Sequence, residues 1–395
     1  EICACLVGSE MCIRDRYKAV QKSIDKAKVL ADYVIGLGHL GVDPSSSPWT
    51  SKEVIEHTSG FDAFIDGHSH TKMECEWVKD LSGKAVALTQ TGSYFANVGE
   101  MTIKADGSIA TRLISSYEGS DSAVADIQNA WVASVDDMLG EKIAVADTNF
   151  YISDPETGKR RIRMAETNLG DFVADGIYSY FNEVEQLHCD IAIMNGGGIR
   201  TDVDAGKWTF KTCKQVSPFG NVACLMSVTG KQIQDALEFG ARFVGPEGKE
   251  NGGFLHVAGA TYEIHTDIPN TVLTDDKNVW MGSATGTPRV QNVRIYNKKT
   301  GAYEPLDLNR TYALAGMNYT LRNLGDGFAM FDGAELIKDY VSEDYLVMST
   351  YAMIFDGADA AGLPHLSSAN SPLAAYPGYL LNYEQPYGAG RITIL

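Results

Sequence analysis

The chain has 395 residues, 44% of them apolar and 21% charged, the composition of a folded protein with room for two domains. Its formal net charge of −18 leaves no broad basic face, which excludes a nucleic-acid polymer as partner, while a few arginines in one pocket can still hold a small anion. No apolar run approaches the roughly 20 residues of a spanning helix, so no membrane span is expected.

The first sixteen residues, "EICACLVGSEMCIRDR", have no initiator methionine, charged n-region or signal-peptide core. They resemble translated sequencing-adapter sequence, are expected to lie outside the fold, and imply that the natural N-terminus is missing. Seven cysteines, an odd number without a CxxC pair, define no disulfide framework, so secreted, periplasmic and cytosolic locations all stay open.

From Tyr17 the spacing predicts a polar-faced helix, then a short buried strand, Tyr33–Leu37. After the loop "DPSSSPW", "TSKEVIEHTSG" reads as a helix capped by Thr50 or Ser51, with Glu53 in its first turn. "FDAFID" is the next strand, and residues 84–118 read as successive short strands. Apolar residues at helical spacing (Val124, Ile127, Trp131, Val135, Leu139) predict one helix between two domains. Beyond about Gly140 come helix "NLGDFVADGIYSYFNEV", strand "DIAIMN", strands around "VACLMSVTG" and helix "GKQIQDALEFGARF". This alternation predicts a layered α/β fold with its site outside the strand ends.

Three histidines stand at such ends. His39 follows "VIGLG", and His68 and His70 follow "AFIDG". As a trio they are candidate metal ligands, and imidazole suits Zn, Mn, Fe or Ni alike. Two-metal hydrolases hold their ions about 3.5–4 Å apart and need a bridging carboxylate to offset the repulsion. Neither Asp43 nor Asp66 has a position that announces bridging, so the trio reads as part of a centre.

From about residue 17 onward these residues resemble the secreted 5′-nucleotidase family. It includes periplasmic UDP-sugar hydrolases, 2′,3′-cyclic-nucleotide phosphodiesterases and ecto-5′-nucleotidases. "GLGHLG" and "GHSH" resemble the last two of the five motifs of its calcineurin-like metallophosphoesterase domain. The resemblance implies two divalent ions, Zn or Mn, with His39 and His68 sharing one and His70 on the other. The DxH, GD and GNH[DE] motifs are absent, and with them the catalytic histidine, so no catalytic residue is assigned.

"RMAETNLGDFVADGI" is similar to the family's R-x-x-E-T-N-L-G segment, with Arg163 as the phosphate-binding arginine and a helix opening that offers free N–H groups. Asp171 stands where Asn is common. "NGGGIR" is similar to its N-x-G-G-I-R signature. There Asn195 would meet the base or ribose and Arg200 the ribose–phosphate end, with glycines that let backbone approach a ligand. "SPFGN" and "NYTLRNLGDGF" complete the resemblance. They imply Phe219 and Tyr319 sandwiching the base, and Asp326 on the ribose hydroxyls.

The sequence thus predicts an α/β two-domain chain. Residues 17–119 form the C-terminal portion of a metallophosphoesterase domain, 120–140 a linker helix that could act as a hinge, and 141–395 a 5′-nucleotidase C-terminal domain. The function implied is hydrolysis of nucleoside phosphate esters, with a nucleotide or nucleoside as partner and a periplasmic, extracellular or cell-surface location. A cyclic phosphodiesterase, a UDP-sugar hydrolase, a non-catalytic nucleotide-binding module and a thiosulfohydrolase-like relative are the alternatives.

Overall fold

The structure, a computed structural model, describes residues 11–43, 46, 49–245 and 248–395, the first five of them as backbone only. The expectation about residues 1–16 lies outside the described residues as far as residue 10. From Met11 the chain is already helical (Met11–Lys28), so the fold begins earlier than Tyr17. Two compact units follow one another, the first ending at Ser122 and the second running Ala123–Leu395.

In the first unit, strands Ile35–Leu37, Ala63–Asp66 and Ala85–Thr91 run parallel in that order, and Lys72–Lys79 joins antiparallel at the far edge. Ile24, Val54, Ile55, Phe61, Phe64, Val86 and Leu88 form its core. Thr50 caps helix Ser51–Glu56 in a capping box. Its hydroxyl accepts from Glu53 N (3.2 Å), while its own N–H donates to the Glu53 carboxylate (3.0 Å). Two expectations need correcting. Ile35–Leu37 is an edge strand rather than a buried one, with Leu37 83% exposed. Lys72–Lys79 was not foreseen, although Lys72–Trp77 alternates polar and apolar residues; only Val78 in it is buried.

The second unit centres on a five-stranded mixed sheet, ordered Leu255–Ala258, Ile191–Asn195, Thr311–Met317, Ala223–Thr229, Glu335–Lys338. Alternate residues serve opposite faces. Ala192, Met194, Leu225 and Ala315 join one core with helix Asn168–Ser179, whereas Ile191, Ile193, Met226 and Leu314 join another with helix Gly230–Gly240. A four-stranded sheet (Ala302–Pro305, Val290–Asn297, Ala260–Ile264, Ile392–Ile394) and a three-stranded one (His365–Leu366, Lys142–Ala146, Gly206–Thr209) flank it. Helix Ser122–Leu139 has no buried side chain.

All twelve residues of Asn168–Ser179 are buried, two aspartates included. Arg391, itself fully buried, donates from Nη2 to Asp175 Oδ2 at 2.8 Å and from Nη1 to the Val257 carbonyl at 3.0 Å. The hydroxyls of Tyr379 and Tyr383 donate to the same carboxylate at 2.7 and 2.8 Å. Glu166 accepts the N–H groups of Arg391 and Ile392 (3.0 and 2.8 Å), which ties the start of this helix to the last strand. Asp171 accepts the Ala389 N–H at 2.8 Å on one oxygen, and its other oxygen lies 4.0 Å from Arg391 Nη1. Burial first, then neighbouring Glu166, hold its carboxyl far above the usual range.

Removing the cation would leave Asp175 as an uncompensated buried charge. Arg391→Met is therefore expected to cost about 3–5 kcal/mol in urea unfolding. A loss below about 1 kcal/mol would show that the pair does not hold the unit together.

Candidate functional site

Asn195 ends the central strand Ile191–Asn195 and is buried. Its amide donates to Asp326 Oδ2 at 3.1 Å and lies 3.4 Å from the Gly252 carbonyl. The hydroxyl of Tyr319 donates to the other oxygen of Asp326 at 3.0 Å. Asp326 sits in the turn Gly325–Gly327 at φ 54°, directly after Leu324 at φ 56° and Gly325. Non-glycine residues held in this region cost about 1–3 kcal/mol each and cluster at functional sites. A Cβ on Gly325 would stand 2.5 Å from the Tyr319 ring, so the ring is seated on that glycine.

The turn Gly196–Gly198 after Asn195 meets protein backbone at close quarters. A Cβ on Gly196 would stand 2.2 Å from the Ile162 carbonyl, and Gly197 N donates to the Gly252 carbonyl at 2.8 Å. Close approach is the reason for these glycines, as expected, but what approaches is the chain itself. Arg200 Nη1 donates to the Gly197 carbonyl at 3.2 Å, with its guanidinium carbon 5.6 Å from the Phe219 ring centroid. Phe219 is 57% exposed and Tyr319 36%, unlike the buried aromatic residues of the cores.

Arg163 lies beside this group. Its backbone carbonyl accepts from Asn251 N at 3.1 Å. Its guanidinium has no hydrogen-bond or ion-pair partner among the described residues, whereas neighbouring Arg160 is bound to Glu250 (2.6 Å from Nε). Burial, then the like charges of Arg160 and Arg200, push Arg163 down to about 10, against the pull of Glu250 and Asp326. It is still a cation at neutral pH. An unpaired, desolvated cation favours an anionic ligand.

At the helix opening beside it most of the N–H groups expected to be free are taken. Thr167 caps it, with Oγ1 accepting from Gly170 N at 3.1 Å, and Asn168 N and Asp171 N donate to the carbonyls of Pro386 and Thr167. Asn168 spends its amide on Tyr151 N and on the carbonyls of Asn149 and Tyr383. The "ETN" residues are therefore structural, and Arg163 is the member of this segment left to meet an anion. The contribution of the Asn251–Gly252 loop, which bonds both Arg163 and Asn195, was missed; nothing in "KENGGF" signalled it.

In the first unit the rings of His39 and His68 lie edge to face with centroids 5.2 Å apart. His70 points to Tyr94 instead, centroids 6.2 Å apart. Asp66 accepts from Leu40 N (2.8 Å) and Gln90 Nε2 (3.0 Å), so it latches the two strand-end loops together. No group of three His, Cys, Asp or Glu able to hold a metal ion occurs among the described residues. Two adjacent imidazoles without a carboxylate do not by themselves fit a two-ion hydrolytic centre.

A mixed sheet with a helix packed on each face, and with an unpaired arginine, an amide–carboxylate pair and two exposed rings on the surrounding loops, makes the second unit a layered α/β domain. A model of the 5′-nucleotidase C-terminal domain matches residues 142–333. The chain is 27% identical over 356 residues to the trifunctional nucleotide phosphoesterase protein YfkN of Bacillus subtilis, covering 87% of this chain and 22% of that protein. It is 26% identical over 374 residues to the human 5′-nucleotidase, covering 87% and 60%. The 5′-nucleotidase precursor of Thermus thermophilus shares the fold, with a TM-score of 0.65 at 23% identity, over 96% of this chain and 67% of that one. Residues 142–333 thus match the 5′-nucleotidase C-terminal domain, and the chain as a whole is similar to 5′-nucleotidases. It spans about three fifths of the length of the mammalian relatives and less of the bacterial one.

His68 and His70 are held at φ 77° and 55° although both are exposed. Glycine would remove this strain at little cost in packing. His70→Gly is expected to stabilise the chain by about 1 kcal/mol in urea unfolding, and His70→Ala not to. Equal stabilities of the two variants would show that the left-handed backbone carries no strain.

Proposed function

We propose that this chain serves the hydrolysis of nucleoside phosphate esters, and that its second unit is the part that recognises the nucleotide. The observation that carries this reading is the Asn195–Asp326–Tyr319 hydrogen-bonded group with the unpaired cation of Arg163 beside it. A carboxylate offers about four lone-pair directions, so Asp326 keeps capacity for ribose hydroxyls while its two present bonds fix its orientation. Phe219 and Tyr319 offer exposed faces for a base, and Arg163 with Arg200 supplies positive charge for the phosphate. The relatives named as nucleotidases and nucleotide phosphoesterases support the same substrate class.

The metal assignment is the less complete part of the reading. His39 and His68 are adjacent and are proposed as ligands of one divalent ion, Zn or Mn, with His70 on a second. Because these residues alone do not complete such a centre, the chemistry assigned to this chain is recognition. It binds the base, orients the ribose and neutralises the phosphate. A secreted or periplasmic location is part of the same proposal. Among the described residues no helix is long and apolar enough to cross a membrane.

Calorimetry with AMP and adenosine tests the proposal. AMP is expected to bind, and Phe219→Ala and Asp326→Ala are each expected to weaken it by about fivefold or more, the value of one stacked face or one hydrogen bond. Wild-type protein that binds neither AMP nor adenosine would overturn the reading.

A further inference from the structure

One fully buried titratable group, His256, has no part in the recognition just described, although its contacts lead to it. It lies on strand Leu255–Ala258, paired with Met194 one residue before Asn195. Its Nε2 is 2.8 Å from the Ile162 carbonyl, while Nδ1 has no partner among the described residues. Burial pushes the ring down to about 4, so it is neutral at physiological pH, and a carbonyl at Nε2 requires the proton there. The ring lies hard against helix Asn168–Ser179, where a Cβ on Gly170 would stand 2.1 Å from Nδ1. The Ile162 carbonyl is thus gripped from two sides, by the imidazole and by Gly196. The next residue is Arg163, whose own carbonyl is held by Asn251 N.

We propose that His256 is a positioning residue which, by holding the Ile162 carbonyl, fixes Arg163 against the phosphate of a bound nucleotide. The proposal rests on reading the second unit as a nucleotide site. Phe219, Tyr319 and Asp326 make no direct contact with this bond, and the link to the ribose side runs indirectly, through Asn195 beside Gly196 and the Asn251–Gly252 loop. Loss of the His256 bond should therefore act chiefly on the phosphate.

The test compares AMP with adenosine on the full chain. His256→Leu is expected to weaken AMP by about fivefold or more and leave adenosine within about twofold, while His256→Gln, which returns an N–H donor at the same reach, restores AMP binding. Gly170→Ala, which displaces the ring from the helix side, should give the same AMP-selective loss, and it serves where the leucine variant does not fold. A merely structural role would weaken both ligands together, and that outcome, or no change in either, overturns the proposal. Hydrogen exchange over residues 161–165 gives a ligand-free reading. Faster exchange is expected in the leucine variant, and unchanged exchange overturns the positioning role. Wild-type protein that binds neither ligand, by contrast, removes the nucleotide reading itself.

Discussion

The architecture of the second unit depends on one buried charge pair, Arg391 with Asp175. The two residues are 216 positions apart, and both are fully buried. Bringing two charges out of water costs several kcal/mol per ion, and the cost is offset only where every remaining donor and acceptor is used. Here nearly all are used, although Asp171 Oδ1 beside the pair has no hydrogen bond among the described residues. Arg391 also bonds the carbonyls of Leu380 and Val257, and Asp175 also accepts two tyrosine hydroxyls. Glu166 accepts the neighbouring N–H groups of the last strand, so the helix is anchored at its opening as well as its middle. The Arg161–Ala165 turn that carries Arg163 leads straight into this anchor. The geometry of the site therefore starts in the interior.

This arrangement separates two kinds of residue that one sequence signature runs together. In "RMAETNLGDFVAD" the glutamate, threonine, asparagine and both aspartates point inward and are consumed by the fold. Only the leading arginine is left without a partner. A signature can thus be strong for a family while most of its polar members do structural work. The glycine turn after Asn195 behaves likewise, since Gly196 makes room for Ile162 rather than for a ligand.

Layering was legible in the sequence because helical spacing and short apolar strands alternate along the chain. Ile191 and Ile193 face one core while Ala192 and Met194 face the other, and helix Gly230–Gly240 starts at its Thr229 cap. Two classes of feature were not. Lys72–Lys79 alternates polar and apolar residues but buries only Val78, and Arg391, like the Asn251–Gly252 loop, acts through partners far along the chain. Of the candidate site, Asn195, Arg200, Phe219, Tyr319, Asp326 and Arg163 are joined through one loop system in the second unit. The histidines divide into a pair and His70.

The role of Tyr319 is the point at which geometry refines the sequence reading most. One face of the ring is seated on Gly325, and its hydroxyl is bonded to Asp326. Burial, then the adjacent carboxylate, raise that hydroxyl's pKa, so at neutral pH it is a donor. A single face remains for a base, and the ring cannot swing without breaking the bond that orients Asp326. Base stacking and ribose recognition are therefore mechanically linked through one side chain. Phe219 has no such tether, being exposed beside the guanidinium of Arg200. On the nucleotide reading proposed above, Tyr319 would be the fixed stacking partner of a base and Phe219 the adjustable one. In that reading the tether of Tyr319 to Asp326 would link the place of the base to that of the sugar, while an untethered Phe219 suits stacking that tolerates many bases.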